Sequence, residues 1–250
     1  NKYGYILLRE SDNVSKYMYS VRYYLNEKAN SIDKIRHPVV RECLSYFKVK
    51  SKTLHITYDG DLPSRSGLGS SSSFSVGLIN AIFKLKRDKL SKKQLAKTAI
   101  NFEHNVLKET VGYQDQIATS YGGFNHIYFQ NEDFKVSPIK INSWKKLLLN
   151  EHLTICLIDG KRSATNIEKK KIKKINNNYS IYNEIFDLTR QAKNVLNSNK
   201  YNSINEFGHL LNEYWDLKKS LDVSVSNDKI NFYQKQFLNN GAYGSKFMGA

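Results

Sequence analysis

Hydrophobic residues alternate with polar ones, or recur at helical spacing, over most of the chain. Over residues 53–58, the alternation puts Leu54, Ile56 and Tyr58 on one face of a predicted strand. Over residues 74–85, apolar side chains return every three or four positions, which predicts a helix. The intervening stretch is rich in glycine and serine, so a strand, a flexible turn and a helix are expected in that order.

The same reasoning extends along the rest of the chain. Residues 91–94 have the form of a capping box at the start of a helix, and residues 26–35 have the composition of a polar loop. Residues 137–150, which contain Pro138, then Trp144 and then a Lys-Lys pair, indicate a boundary between two domains, 1–140 and 141–250. Further strands are predicted at 3–8, 17–24, 126–129 and 152–159, the last of them buried, and further helices at 38–47, 91–107, 114–121, 166–197, 204–220 and 228–239.

The stretch 62–73 has the ingredients of an anion-binding site. Glycines let backbone N–H groups approach a phosphate, and a helix start offers unpaired donors with a partial positive charge. The serines can cap the helix, donate to phosphate oxygens or ligate Mg²⁺. It is not a Walker A loop, because a Walker A loop needs a lysine after its last glycine and Gly69 is followed by Ser70. It is not the dinucleotide-binding fingerprint either, because the third glycine of that motif is missing here. A turn that only caps a core helix is the alternative.

Two carboxylates occupy unusual places in the predicted helices. Glu103 shares an apolar stripe with Ile100 and Leu107, where it needs a cation or a hydrogen-bond donor unless it lies at the edge and reaches water. Asp115 lies in the first turn of a short helix, between Gln114 and Gln116. There it either stabilises the helix dipole or is a base held rigidly at a helix start.

Composition restricts the class of protein. The chain is 40% hydrophobic and carries a formal net charge of +16, which favours an anionic ligand in a globular protein. The lysines are scattered, and the densest run, at 169–174, is expected to be a solvated helix face, so nucleic acid is not favoured. No membrane span or signal peptide is recognised. Cys43 and Cys156 are expected to be buried thiols of a cytoplasmic protein.

The glycine-rich stretch resembles a motif of the GHMP small-molecule kinases. The family's second motif, Pro-x-x-x-Gly-Leu-Gly-Ser-Ser, is matched in full at residues 63–71. Residues 241–250 resemble the beginning of its third motif, and the first motif is not found, so the chain is expected to begin after the first motif and to break off within the third. Within the family, residues 112–118 and 121–125 are similar to the D-glycero-D-manno-heptose 7-phosphate 1-kinase branch, although fucokinases and other sugar 1-kinases share these features.

This resemblance implies an α+β fold with two lobes, the first ribosomal-protein-like and the second ferredoxin-like. It also implies ATP as phosphoryl donor, Mg²⁺ as cofactor and a small-molecule sugar phosphate as acceptor, without nucleic acid or membrane, and a possible homodimer. The product would be a heptose 1,7-bisphosphate for nucleotide-heptose and surface-polysaccharide synthesis. The implied sites are the ATP-binding residues Pro63, Arg65, Ser66, Gly67, Leu68, Gly69, Ser70, Ser71 and Ser72; the metal ligands Ser71 (or, less favoured, Ser70) and Glu103; the base Asp115; and the substrate-binding candidates Gln114, Arg162, Gly244 and Lys246.

Three alternatives remain at this point. A different GHMP kinase, such as a fucokinase or a galactokinase-like enzyme, would keep the mechanism and change the sugar. A non-catalytic sensor of nucleotide or sugar would be expected to have lost Asp115, Glu103 or the glycine- and serine-rich stretch 62–73. All three are present. A basic nucleic-acid-binding module would leave the two carboxylates without a purpose. Arg162 and Lys246 are equally compatible with solvated surface charges.

Overall fold

The computed structural model of the protein describes residues 2–11, 16–51, 53–61, 66–131, 133–158 and 164–249, with only the backbone described at 164–166 and 169. Contacts divide the chain into two units, Asn1–Gly123 and Phe124–Ala250. The strands are β1 Gly4–Glu10, β2 Tyr19–Arg22, β3 Asn26–Ala29, β4 Leu54–Gly60, β5 Asn125–Gln130 and β6 Asp133–Pro138. The α-helices are α1 Pro38–Tyr46, α2 Ser70–Leu85, α3 Lys92–Asn101, α4 Gln114–Tyr121, α5 Ser143–His152, α6 Ala164–Lys173, α7 Tyr179–Asn197, α8 Ser203–Ser220 and α9 Asp228–Asn239.

The first unit is built on a four-stranded sheet in the order β1-β4-β2-β3. Strand β4 pairs antiparallel with β1 and parallel with β2. Its Leu54 and Ile56 are buried, as the alternation predicts, and belong to one hydrophobic core with Leu78 and Ile82 of α2. Burial of each such side chain stabilises the fold by about 1.5–3 kcal/mol, so this core holds the start of α2 in place relative to the sheet.

Helix α3 begins at the predicted capping box, which is confirmed. The Ser91 hydroxyl accepts from the Gln94 N–H, and the Gln94 side chain accepts from the Ser91 N–H at 2.9 Å. The α-helix is shorter than predicted, because it ends at Asn101 and continues as a π-helical turn, Phe102–Val106. This wider turn buries both Phe102 and Glu103.

Strand β3 was not predicted, since its residues have the composition of a loop. It pairs antiparallel with β2 and buries Glu27 and Ala29. The Glu27 carboxylate accepts hydrogen bonds from the backbone N–H groups of Arg36 (2.7 Å) and His37 (3.1 Å). A glutamate with such partners can occupy an inward position of a strand, which a hydrophobic pattern cannot reveal.

The second unit carries helices α5 to α9 and, among its described residues, one sheet, the antiparallel pair β5–β6. Its core is small: Trp215, Ile167, Val225 and Ile230, with Phe247 packed against them. The two-lobed α+β class is confirmed, although the described residues do not form the sheet of a ferredoxin-like second lobe. The predicted domain boundary near residue 140 falls after β6, whereas the units divide after Gly123.

The predicted buried strand at 152–159 is wrong for the residues described. His152 ends α5, and residues 153–158 have no regular structure. Leu157 is 78% exposed, and no described strand pairs with this segment, so its backbone has no ladder to join. Residue 159 lies outside the described residues.

The two cysteines differ. Cys43 is buried as predicted, and burial raises the pKa of its thiol. Cys156 is exposed, so the prediction of a buried thiol is wrong there, because it belongs to the unpaired segment 153–158. No helix in the described part of the chain combines the length and the hydrophobicity needed to cross a bilayer.

Candidate active site

The glycine-rich loop leads directly into α2. Gly67 and Gly69 both have φ of +74°, a conformation that favours glycine. Helix α2 begins at Ser70, the Ser73 N–H donates to the Gly69 carbonyl at 2.9 Å, and no described side chain caps this helix start. Its first N–H groups are therefore available to an anion. Pro63 and Arg65 lie outside the described residues.

The loop and helix serines occupy different environments. Ser70 is half-buried and Ser71 is exposed, whereas Ser72 is buried. The Ser72 hydroxyl donates to Oε2 of Glu103 at 3.0 Å, and the Ser66 hydroxyl is buried with no partner. The hydroxyl that contacts Glu103 in this structure is thus that of Ser72, while the predicted metal ligand Ser71 is exposed one position earlier.

Glu103 is the most buried acidic residue of the candidate site. The residue is only 1% exposed, so the interpretation that it reaches water at the edge of the stripe is wrong. Its Oε2 accepts from Ser72 and from the side-chain amide of Gln116. Its Oε1 is buried with no partner. A buried carboxylate oxygen without a donor is costly, and a cation would relieve that cost.

The described residues contain no cluster of three or more His, Cys, Asp and Glu side chains able to hold a metal. A magnesium ion that takes one or two protein oxygens, waters and nucleotide phosphates does not need such a cluster. The partnerless Oε1 of Glu103 is the observation that fits such an ion.

Asp115 lies beside the loop at the start of α4. A Cβ atom built on Gly69 would lie 3.3 Å from Asp115 Cγ and 3.4 Å from its Oδ2. The residue is exposed as a whole, yet the packing on one side of its carboxyl removes water there and raises its pKa. The structure therefore brings the glycine-rich loop, Glu103 and Asp115 together within the first unit.

Sequence reasoning missed two polar residues of this site. Gln116 is fully buried and donates to Glu103, whereas Gln114, the predicted substrate contact, is exposed. Glu109 is half-buried, and burial together with the nearby Glu103 raises its pKa. The sequence could have pointed to Gln116 only through its place next to Asp115. Gln114 lies on the other side of Asp115 and is also a glutamine, so the sequence does not distinguish the two.

The remaining substrate candidates do not belong to the described part of the first unit. Arg162 is outside the described residues. Gly244 and Lys246 belong to the second unit, where the Lys246 ammonium lies 4.5 Å from the centre of the Tyr214 ring. Burial lowers the pKa of Lys246. Gly244 packs directly on the backbone of Gly208 in α8.

The close approach of Gly69 and Asp115 makes a testable prediction. Replacing Gly69 by Ala places a methyl group 3.3 Å from Asp115 Cγ, so the carboxyl must shift slightly; it also imposes a left-handed conformation, at about 1–2 kcal/mol, that the control below shares. We expect kcat/KM for ATP to fall about 5- to 30-fold in steady-state kinetics. Gly123→Ala is the matched control, since φ is +81° but the new methyl group meets nothing within 4 Å. Equal losses in both variants would contradict the importance of the Asp115 contact.

The chain is similar to several known proteins. Residues 35–123 match the family described as GHMP kinases N terminal domain. The chain is 33% identical over 207 residues to a D-glycero-alpha-D-manno-heptose 7-phosphate kinase of Campylobacter jejuni, covering 81% of this chain and 59% of that protein. It is 27% identical over 221 residues to a galactokinase of Pyrococcus furiosus, covering 76% and 60%. The chain thus spans about three fifths of the length of these curated relatives.

Solved structures extend the likeness across both units. A D-glycero-D-manno-heptose 1-phosphate kinase from Bacteroides thetaiotaomicron matches with a TM-score of 0.66 at 21% identity, over 99% of this chain and 74% of that one. A Methanococcus jannaschii mevalonate kinase matches with a TM-score of 0.68 at 20% identity, over 99% and 77%. Residues 35–123 thus match the N-terminal domain of the GHMP kinases, and the chain has the α+β fold of these solved structures.

Proposed function

We propose that the protein is an ATP-dependent sugar kinase that phosphorylates the anomeric hydroxyl of D-glycero-D-manno-heptose 7-phosphate. The observation that carries this proposal is the juxtaposition of an uncapped helix start, a buried carboxylate with a partnerless oxygen and an Asp carboxyl against the same loop. Phosphoryl transfer needs these parts, because it depends on positioning and on stabilising charge.

The loop and the start of α2 are assigned to the triphosphate. The N–H groups of Ser70 and its neighbours offer donors and the positive end of the helix dipole to phosphate oxygens. The partnerless Ser66 hydroxyl supplies one more donor from the loop. This arrangement binds the nucleotide through its phosphates without a Walker lysine.

Glu103, with a serine hydroxyl of the α2 start, is assigned to Mg²⁺. The serine assigned to the metal is Ser71, by resemblance, whereas the Ser72 hydroxyl donates to Glu103. When bound, the ion would offset the negative charge that develops on the phosphates. Glu103 is held rigidly enough for this by its two donors.

Asp115 is assigned as the base. It accepts the proton of the anomeric hydroxyl as that oxygen bonds to the γ-phosphorus and the bond from phosphorus to the β–γ bridging oxygen breaks. ADP leaves with the electron pair of that bond, and the sugar keeps the new phosphoryl group. The carboxyl must be ionised to accept the proton, and it lies beside Gly69 of the loop.

The choice of heptose 7-phosphate rests on the relatives. The curated relative at 33% identity and one solved structure are heptose phosphate kinases by name, while a galactokinase matches at 27%. Lys246 and Arg162 are the candidates for contacting the 7-phosphate. The cytoplasmic location and the homodimer stay predictions.

A substrate panel tests the proposal. Purified protein with ATP and Mg²⁺ would be given D-glycero-D-manno-heptose 7-phosphate, galactose, fucose and mevalonate, with ADP release and product mass as readouts. Turnover of the heptose phosphate alone, giving the 1,7-bisphosphate, is the expected result. Turnover of galactose or fucose instead would keep the mechanism and exclude the heptose. ATP binding without turnover of any acceptor would favour a sensor on the same fold.

A further inference from the structure

The Glu103 carboxylate is held by two side chains from two different helices. Ser72 of α2 and Gln116 of α4 both donate to Oε2, and Oε1 is left without a partner. No described lysine or arginine forms an ion pair with Glu103. Both donors are neutral, so they orient the charge without cancelling it.

The Gln116 side chain uses its NH₂ group for the hydrogen bond to Glu103. The residue is fully buried, and a carboxylate accepts hydrogen bonds but donates none, so the amide must turn its NH₂ group toward Glu103. The amide oxygen is then left buried with no partner. A buried amide that leaves half of its hydrogen-bonding capacity unused carries a cost, which a purely structural residue such as Leu would avoid.

The backbone at Glu103 adds a second constraint. Glu103 lies in the π-helical turn after α3, where the Leu107 N–H reaches back to the Phe102 carbonyl at 3.0 Å. Such turns are rare and occur frequently at functional sites. Three elements, α2, the π-helical turn and α4, therefore converge on one carboxylate.

Resting on the proposed kinase function, we propose that Gln116 is a positioning residue that, with Ser72, fixes Glu103 so that its free oxygen faces the divalent cation of a metal–nucleotide complex. Gln116 follows Asp115 directly in α4. Its hydrogen bond to Glu103 therefore connects the carboxylate assigned to the metal with the start of the helix that carries the proposed base. Neither Gln116 nor its amide touches the reacting atoms in this assignment.

The test measures cation binding separately from turnover. Mn²⁺ binding to the whole chain would be followed by electron paramagnetic resonance with a non-hydrolysable ATP analogue present. Nucleotide affinity would be measured in parallel with EDTA. We expect Gln116→Met to weaken Mn²⁺ binding about 10- to 100-fold, the range typical of residues that orient metal ligands, with nucleotide affinity in EDTA unchanged. Ser72→Ala should weaken Mn²⁺ binding in the same direction, and Ser72→Thr, which keeps the hydroxyl, should restore it.

Ser120→Ala is the matched control, since Ser120 lies on α4 with a buried hydroxyl that has no partner. Unchanged Mn²⁺ binding in Gln116→Met and Ser72→Ala would overturn the inference and leave the kinase proposal intact. Equal weakening in the Ser120 control, or a parallel loss of nucleotide affinity in EDTA in Gln116→Met, would also overturn it, because the role would then be structural. Absence of nucleotide-dependent Mn²⁺ binding in the unaltered protein would instead overturn the proposed metal site itself. If Gln116→Met does not fold, Gln116→Asn makes the same test, because its amide is one methylene shorter and should not reach Glu103.

Discussion

Replacing Asp115 by Asn is expected to lower kcat by a factor of about 10² to 10⁴, the contribution typical of a positioned general base. The amide has nearly the same shape as the carboxyl, so the contact with Gly69 and the fold of α4 should be retained. ATP affinity, measured by calorimetry, should therefore change little. The loss would appear in kcat and kcat/KM together, as expected for an interaction made only in the transition state.

The matched control is Asp228→Asn, because Asp228 also lies in the first turn of a helix, α9. If Asp228→Asn lost as much activity as Asp115→Asn, the loss would be explained by removing a negative charge from the first turn of a helix. The role of Asp115 as a base would then be contradicted. An Asp115→Asn enzyme with full kcat would exclude Asp115 as the base.

The raised pKa of Asp115 also sets the direction of the pH profile. The ionised carboxyl is the active form, so activity falls as pH decreases through its pKa in the folded protein. Because partial burial raises that pKa, the acid limb of kcat/KM should lie at higher pH than the value for an ordinary Asp, and it should disappear from the residual activity of the Asn variant.

Replacing Gly244 by Ala is expected to destabilise the second unit. The new methyl group would lie against the carbonyl group of Gly208, with Gly208 C at 2.9 Å and Asn212 N at 3.0 Å, so the backbone of residues 241–249 or of α8 must move. Overpacking of this kind costs about 1–3 kcal/mol, which lowers Tm by roughly 2–12 °C. Amide hydrogen exchange should become faster in α8 and in residues 241–249.

Ser245→Ala is the control in the next position. It removes a buried hydroxyl that has no partner and adds no atoms, so Tm should stay the same or rise slightly. A Gly244→Ala protein as stable as the unaltered protein would mean that the segment does not pack on Gly208 as the structure shows.

Local signals allowed most helices to be predicted. Helix α9 has the predicted bounds, because the Asn227 side chain accepts from the Ile230 N–H at 2.9 Å and the sequence displays that cap directly. The capping box at Ser91 is a similar case. Strand β3 and helix α5 were missed, the first because its buried position holds Glu27.

The sequence allowed the residues of the candidate site to be predicted better than the hydrogen bonds between them. Glycine spacing and the isolated carboxylates pointed to Gly69, Glu103 and Asp115, and the structure gathers these three. Which of four successive serines meets Glu103 depends on the rotation of α2 against α3, which the sequence does not display. The burial of Gln116 rather than Gln114 likewise depends on how α4 packs.

The segment 153–158 has a practical consequence for work with the protein. Its six residues are uncharged and mostly β-branched or aliphatic, and the apolar side chains of Leu153, Ile155 and Leu157 are more than half exposed. Short sequences of this kind readily form intermolecular β-sheets when no strand covers them. Concentrated samples of this chain should therefore self-associate through this segment, and Ile155→Lys should reduce the aggregation without changing the glycine-rich loop.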